Sequence, residues 1–171
     1  MNVNLSSVNI SYNCVDLIRS ILPEGSTILE LGSGAGTLVL SQYYKMYSVE
    51  NQPEWFDKYP EATTYINCRS KMYDATYPAP EIPGNLGWYH PDDIFPNLPE
   101  HYDLILIDGP GGGKWGRGGF YKHLDKFNTD VPLVFDDIDR APEMILMKEV
   151  AKKLNRECFV LENDSHIGII K

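Results

Sequence analysis

The chain has 171 residues, of which 43% are hydrophobic and 23% charged, and its formal net charge is −9. That length supports one α/β domain around a single core and excludes two, while the acidic balance argues against nucleic acid or an anionic membrane as the main partner, because phosphate contacts need clustered Lys and Arg. Three cysteines at irregular spacing give neither a disulfide framework nor a zinc pattern, no apolar run has the length of a membrane span, and no signal-peptide pattern opens the chain, so a cytoplasmic protein with packed free thiols is expected.

Residues 1–8 are polar and carry little pattern. From Ile10, apolar residues at Cys14, Val15, Leu17, Ile18, Ile21 and Leu22 mark one helical face, which Pro23-Glu24-Gly25 stops. Thr27 to Thr37 reads TILELGSGAGT, a β-rich apolar run (Ile28, Leu29, Leu31) that ends in glycines at 32, 34 and 36. It predicts a strand feeding a helix over Ala35 to Tyr44, through a turn tight enough for backbone N–H groups to approach a ligand. Lys45 to Glu50 is a second strand ending on an acid, and Pro53 opens a helix to about Tyr59. Ala62 to Asn67 is a third strand.

Residues 73–100 hold six prolines with Tyr77, Trp88, Tyr89 and Phe95, a long insertion of the kind that serves function. Tyr102 to Asp108 is a near-continuous apolar strand, the type buried on both faces of a parallel sheet. The loop from Gly109 to Gly119 (GPGGGKWGRGG) precedes a short helix from about Phe120 to Phe127. Val131 to Phe135 is a fifth strand ending at Asp136-Asp137. A helix over Ala141 to Leu154 follows, with Pro142 in its first turn and Asp139 as N-cap. Cys158 to Leu161 and Ile167 to Ile170 pair as a hairpin through Glu162-Asn163-Asp164-Ser165. The pattern predicts an α/β fold: a doubly wound, Rossmann-like sheet of seven strands with an antiparallel terminal strand, in a single domain over residues 1–171.

In such a sheet ligands bind beyond the carboxyl ends of the strands, at the switch point. The strand ends here are acidic: Glu30, Glu50, Asp108, and Asp136 with Asp137. Glu50 can accept ribose hydroxyls of a nucleoside, which does not separate one nucleoside cofactor from another. Dinucleotide folds need G-x-G-x-x-G, and this chain has Thr37 where the third glycine would fall. The motif G-x-G-x-G at 32–36, preceded by Glu30 on its strand, resembles the first motif of class I S-adenosylmethionine (SAM)-dependent methyltransferases. A NAD-type site and a ligand-free glycine turn are the competing readings. The resemblance covers roughly residues 10–171 and implies a cofactor set of Glu30, Gly32, Ser33, Gly34, Gly36, Glu50, Asn51 and Asp108. After the third strand the family offers an acid or small polar residue near the adenine; here Asn67-Cys68-Arg69-Ser70 has no acid.

Asp108, Asp136 and Asp137 end neighbouring strands, and together with Lys114 they are the candidate catalytic residues. Oxygen-only ligands suit a hard divalent ion such as Mg²⁺. The arrangement resembles metal-dependent O-methyltransferases of the catechol and caffeoyl-coenzyme A kind, although Asp-Asp replaces Asp-Asn and Lys114 lies well beyond Asp108. Two other readings stay open: pairing of Asp136 or Asp137 with Arg117 or Arg140, and a metal-free base or substrate anchor. Trp115 and Arg117, with Trp88 and Tyr89 on the insertion, are candidates for a lid over the substrate; a disordered surface loop at 109–119 and aromatics that cover the sheet edge are the alternatives. His90, His101, His123 and His166 show no metal spacing, and His90 or His123 as a base is a further option. An Asn/Asp-Pro-Pro-Tyr motif, a G-x-S-x-G elbow, a P-loop and H-E-x-x-H are all absent.

The implied activity is SAM-dependent methyl transfer to a small molecule, at oxygen, with or without a divalent cation. A non-catalytic SAM-binding or partner-binding domain is the second reading. NAD(P)-dependent oxidoreduction is the third, opposed by Thr37 and the terminal hairpin. The expected partner is a small-molecule acceptor rather than nucleic acid or membrane, and no oligomeric state follows.

Overall fold

Near-continuous apolar runs on short strands such as Leu104–Ile107 and Leu133–Phe135 give this chain a sheet with two buried faces. The structure, a computed structural model, describes residues 10–73, 78–82, 86–111 and 115–171. In chain order these form α1 (Tyr12–Ile21), β1 (Thr27–Leu31), α2 (Ala35–Leu40), β2 (Lys45–Glu50), β3 (Thr64–Asn67), β4 (Ser70–Met72), β5 (Gly87–Tyr89), α3 (Pro91–Ile94), β6 (Leu104–Ile107), α4 (Gly118–Lys122), β7 (Leu133–Phe135), α5 (Ala141–Leu154), β8 (Cys158–Leu161) and β9 (Asp164–Ile170). The main sheet has seven strands in the order β3-β2-β1-β6-β7-β9-β8. β1, β2, β3, β6 and β7 pair in parallel, and β9 runs antiparallel between β7 and β8. The doubly wound sheet with an antiparallel terminal strand is thus the observed architecture.

Side chains on successive strand residues point to opposite faces. Ile28, Leu104, Leu106 and Val134 therefore join Cys14, Val15 and Ile18 of α1 in one core. Leu29, Leu31, Ile105, Ile107 and Phe135 join Leu146, Met147 and Val150 of α5 in the other. Ser11 caps α1, its hydroxyl accepting from Cys14 N at 3.2 Å. At α5 the N-cap position falls on Arg140 rather than Asp139, whose carboxylate instead meets His166 Nδ1 at 2.9 Å. The helix expected from Pro53 to Tyr59 shortens to one 3₁₀ turn, Pro53–Trp55, because Phe56 leaves helical backbone at ψ 130° and Asp57 follows at φ 48°, a left-handed conformation that cannot resume it. All three cysteines are free thiols. Among the described residues no helix is long and apolar enough to cross a membrane.

Within the insertion β5 pairs antiparallel with β4, which lies just before it, where the sequence reads only as a loop. This pairing corrects the lid expectation for Trp88 and Tyr89, since both are fully buried. Trp88 stacks on His123 with ring centroids 5.3 Å apart and lies among Phe95 and Phe127. Gly119 makes this possible, because a Cβ there would fall 2.1 Å from the indole. Trp88 is a core residue, so Trp88→Phe is expected to lower stability by about 1–2 kcal/mol, less than full truncation would, while leaving ligand binding unchanged. Urea midpoints and calorimetry check this; a selective loss of binding would restore the lid.

Candidate functional site

The ends of β1, β2 and β6 converge through backbone contacts. Gly32 sits at φ 101°, its N–H donating to Val49 O at 2.9 Å. A Cβ on it would lie 2.9 Å from Gly109 N, so the loops after β1 and β6 touch main chain to main chain. The cavity beside this contact, about 210 Å³, is lined by Gly32, Ser33, Glu50, Gln52 and Trp55 on one side and by Tyr89, Asp108, Gly109, Pro110 and Gly111 on the other.

Glu50 is fixed by main-chain donors. Its Oε1 accepts from Asn51 N at 2.6 Å and Gln52 N at 2.8 Å, and its Oε2 accepts from Ser33 N at 3.0 Å. A carboxylate has about four lone-pair sites, so one stays open for a ligand hydroxyl rather than the pair the sequence suggests. Burial pushes the Glu50 carboxyl up, against the pull of the Gln52, Ser33 and Asn51 N–H groups. The Asn51 side chain turns to Ser70 Oγ at 2.6 Å, and Asn51 does not line the cavity.

Glu30 and Gly36 also lie behind the cavity wall. A Cβ at Gly36 would strike Ile10 Cδ1 at 2.5 Å, so this glycine serves packing against Ile10. Gly34 adopts extended backbone, φ −160°, with open space where a Cβ would point. Glu30 is completely buried and its Oε2 accepts from Ser48 Oγ at 2.6 Å and Thr37 Oγ1 at 2.7 Å; Thr37 Oγ1 in turn accepts from Gly34 N at 3.1 Å. The acid therefore shapes the glycine loop through Thr37 instead of bonding its N–H groups itself.

Burial raises the Glu30 carboxyl from 4.5 to about 8, with Ser48 and Thr37 pulling it down. A carboxyl raised on folding binds its proton more tightly in the native state, so its stabilising contribution is complete below about pH 4.5 and is lost as pH rises through about 8. Glu30→Gln is expected to flatten this part of the stability–pH curve between pH ~5 and ~8. Urea midpoints across that range test it, and an unchanged slope would reject the assignment.

Asp108, Asp136 and Asp137 come together as their strands predict, with one oxygen of each within 4.8 Å of the others. Asp137 reaches the cluster from φ 59°, a left-handed conformation that Asp tolerates and that recurs at functional sites. Burial pushes Asp136 up, reinforced by the Asp108 and Asp137 charges. Burial also raises Asp108, while Arg117 holds it down. Arg117, expected on a lid, is instead buried in the middle of these acids. Its Nη2 donates to Asp137 Oδ2 at 2.5 Å and Asp108 Oδ1 at 3.3 Å, and its Nη1 to Asp136 O at 2.5 Å. Arg140 Nη1 adds a second contact to Asp137 at 2.9 Å. Of the two readings the sequence leaves for Arg117, lid residue or partner of the strand-end acids, the fold selects the pairing, and Arg140 joins it on Asp137.

The three carboxylates suit a hard cation in chemical type. With Arg117 in place they do not fit one, because Asp108 Oδ1 and Asp137 Oδ2 already accept from a guanidinium whose full positive charge takes the cation's place. Lys114 lies outside the described residues. Trp115 is half-buried and bridges Gly87. Gln52 and Trp55 are cavity residues that sequence reasoning missed, and only their position just after the β2 acid could have marked them; Tyr89, expected on a lid, lines the cavity from the buried side.

No protein-family model and no curated protein matches the sequence. Solved structures do match. One is a methyltransferase from Podospora anserina with S-adenosylhomocysteine (SAH) bound, at TM-score 0.58 and 15% identity, covering 95% of this chain and 80% of that one. Another is a candidate caffeoyl-CoA O-methyltransferase from Staphylococcus aureus, at 0.59 and 14%, covering 98% and 87%. A third is a methyltransferase from Pyrococcus furiosus, at 0.56 and 16%, covering 98% and 90%. At these identities the likeness establishes architecture: the chain has the class I SAM-dependent methyltransferase fold.

Proposed function

We propose that this chain is a SAM-dependent methyltransferase acting in the cytoplasm on an oxygen of a small-molecule acceptor. The observation that carries the reading is the cavity at the carboxyl ends of β1, β2 and β6, walled by Glu50 on one side and Asp108 on the other. Its residues suit an adenosyl amino acid. Glu50 keeps one acceptor position for a sugar hydroxyl, Trp55 offers an aromatic surface for a base, and the buried Tyr89 hydroxyl, which lies against Gly109, has no hydrogen-bond partner among the described residues. The cofactor would supply an electrophilic methyl group on a sulfonium. As the acceptor oxygen takes that methyl, its proton passes to the Asp108–Asp136 pair, whose raised carboxyls lie nearer neutrality than ordinary aspartates. Orientation of donor and acceptor in line contributes roughly 7–11 kcal/mol to such a reaction. The net charge of −9 supports a small molecule over nucleic acid as acceptor.

Calorimetry with SAM, SAH and NADH, followed by a labelled-SAM screen over phenols, sugars and carboxylates with and without EDTA, tests this. Binding of NADH alone would overturn it. The cavity, about 210 Å³, is smaller than the ~300–1,000 Å³ typical of small-molecule sites, and this favours a second reading, a domain that binds the cofactor without turnover. Binding of both SAM and SAH with no transfer to any acceptor would select it. Because base–aromatic stacking is worth about 1–3 kcal/mol, Trp55→Ala is expected to weaken SAH binding by roughly ten-fold or more at unchanged stability, read by the same calorimetry.

A further inference from the structure

The acidic cluster beside the cavity already holds a cation. The Arg117 side chain is only 4% exposed, and its guanidinium touches the carboxylates of Asp108 and Asp137 and the main-chain oxygen of Asp136. Burial works against its charge, and Asp108, Asp137 and Glu143 more than offset that. Among the described residues no group donates to two buried carboxylate oxygens, Asp136 Oδ2 and Glu143 Oε2, while the Asp136 carboxyl bonds that of Asp108. Asp136 is 3% exposed and Glu143 7%. The cluster of Asp108, Asp136 and Asp137 thus keeps an unused oxygen, Asp136 Oδ2, beside a guanidinium that two of its carboxylates already hold. A guanidinium keeps its charge at any working pH and cannot dissociate as a metal ion does.

We infer that Arg117 is a permanent counter-cation standing where a divalent ion would sit, that it positions Asp108 against the cavity, and that the cluster therefore works without metal. Removing the guanidinium would convert the same carboxylates into a cation site. The inference rests on the methyl-transfer reading only for what Asp108 is positioned to do; the arrangement of charges stands by itself.

The test is calorimetric titration of Mg²⁺, Mn²⁺ and Ca²⁺ into the whole chain, as wild type, Asp136→Asn, Arg117→Ala and the double variant, with SAH titrated into the same preparations. Wild type is expected to show no saturable metal binding at millimolar concentrations. Arg117→Ala is expected to bind metal at least ten-fold more tightly than wild type and to lose that binding once Asp136→Asn is added. A purely structural arginine would give no such gain. Saturable binding by wild type that Asp136→Asn abolishes would overturn the inference, as would a folded Arg117→Ala that gains none. Should Arg117→Ala fail to fold, the comparison of wild type with Asp136→Asn still decides it. Absence of SAH binding would count against the methyl-transfer reading alone.

Discussion

Gly32→Ala is expected to abolish SAH binding and to lower stability by about 2–5 kcal/mol, whereas Gly34→Ala should leave the melting temperature near that of wild type. The two glycines look equivalent in the motif and are not equivalent in space. At Gly32 a side chain must accept φ 101°, and its Cβ meets the Gly109 main chain at 2.9 Å. Neither strain can relax by rotating a side chain, because both partners are backbone. Relief would require the loops after β1 and β6 to part, and they are opposite walls of the cavity. At Gly34 the backbone is extended, as any residue allows, and a Cβ meets no atom within 4 Å. Thermal melts and SAH calorimetry on the two variants check the contrast. Wild-type affinity in Gly32→Ala would show that the loop contact does not shape the site.

The second large effect falls on Arg117. Arg117→Met keeps much of the side-chain volume but leaves Asp108 and Asp137 without their shared guanidinium, and is expected to cost about 3–5 kcal/mol at neutral pH. The sign of the pH dependence follows from Asp108, whose carboxyl burial raises and Arg117 lowers. Without the arginine the native state binds that proton more tightly, so the variant recovers stability as pH falls and the gap to wild type narrows in mild acid. Urea midpoints at neutral pH and in mild acid would show it. A gap that stays constant would mean that the loss is one of packing rather than charge.

The strands and the acids that end them were legible because each is a short apolar run interrupted by Gly, Pro or a carboxylate, and such patterns survive without tertiary information. The α5 bounds were legible for the same reason, Ala141 to Leu154 being a long periodic segment. What failed depended on contacts distant in sequence. Trp88 sits among prolines and reads as a lid residue or a cover for the sheet edge until Ser70–Met72 pairs with Gly87–Tyr89 and buries it in the core. Arg117 reads either as part of a glycine-rich flap or as a partner of Asp136 or Asp137, and only the placement of the acids after β6 and β7 decides for the second. Glu30 was visible as an acid in an apolar strand, but the Ser48 and Thr37 hydroxyls that accommodate it lie on other elements. Gly36 was assigned to the ligand, whereas its missing side chain makes room for Ile10.

The strand order carries a consequence for how the molecule is made. β9 follows both β7 and β8 along the chain yet lies between them. Until residues 164–170 leave the ribosome, β7 and β8 have no common neighbour, and each keeps an unpaired row of amide groups that invites pairing with other chains. The half-exposed Phe159 and Val160 on β8 add apolar surface to that interval. Quality control during synthesis therefore acts on a sheet still missing an interior strand, which makes the β8–β9 hairpin a vulnerable point in biogenesis even though it lies far along the sheet from the cavity.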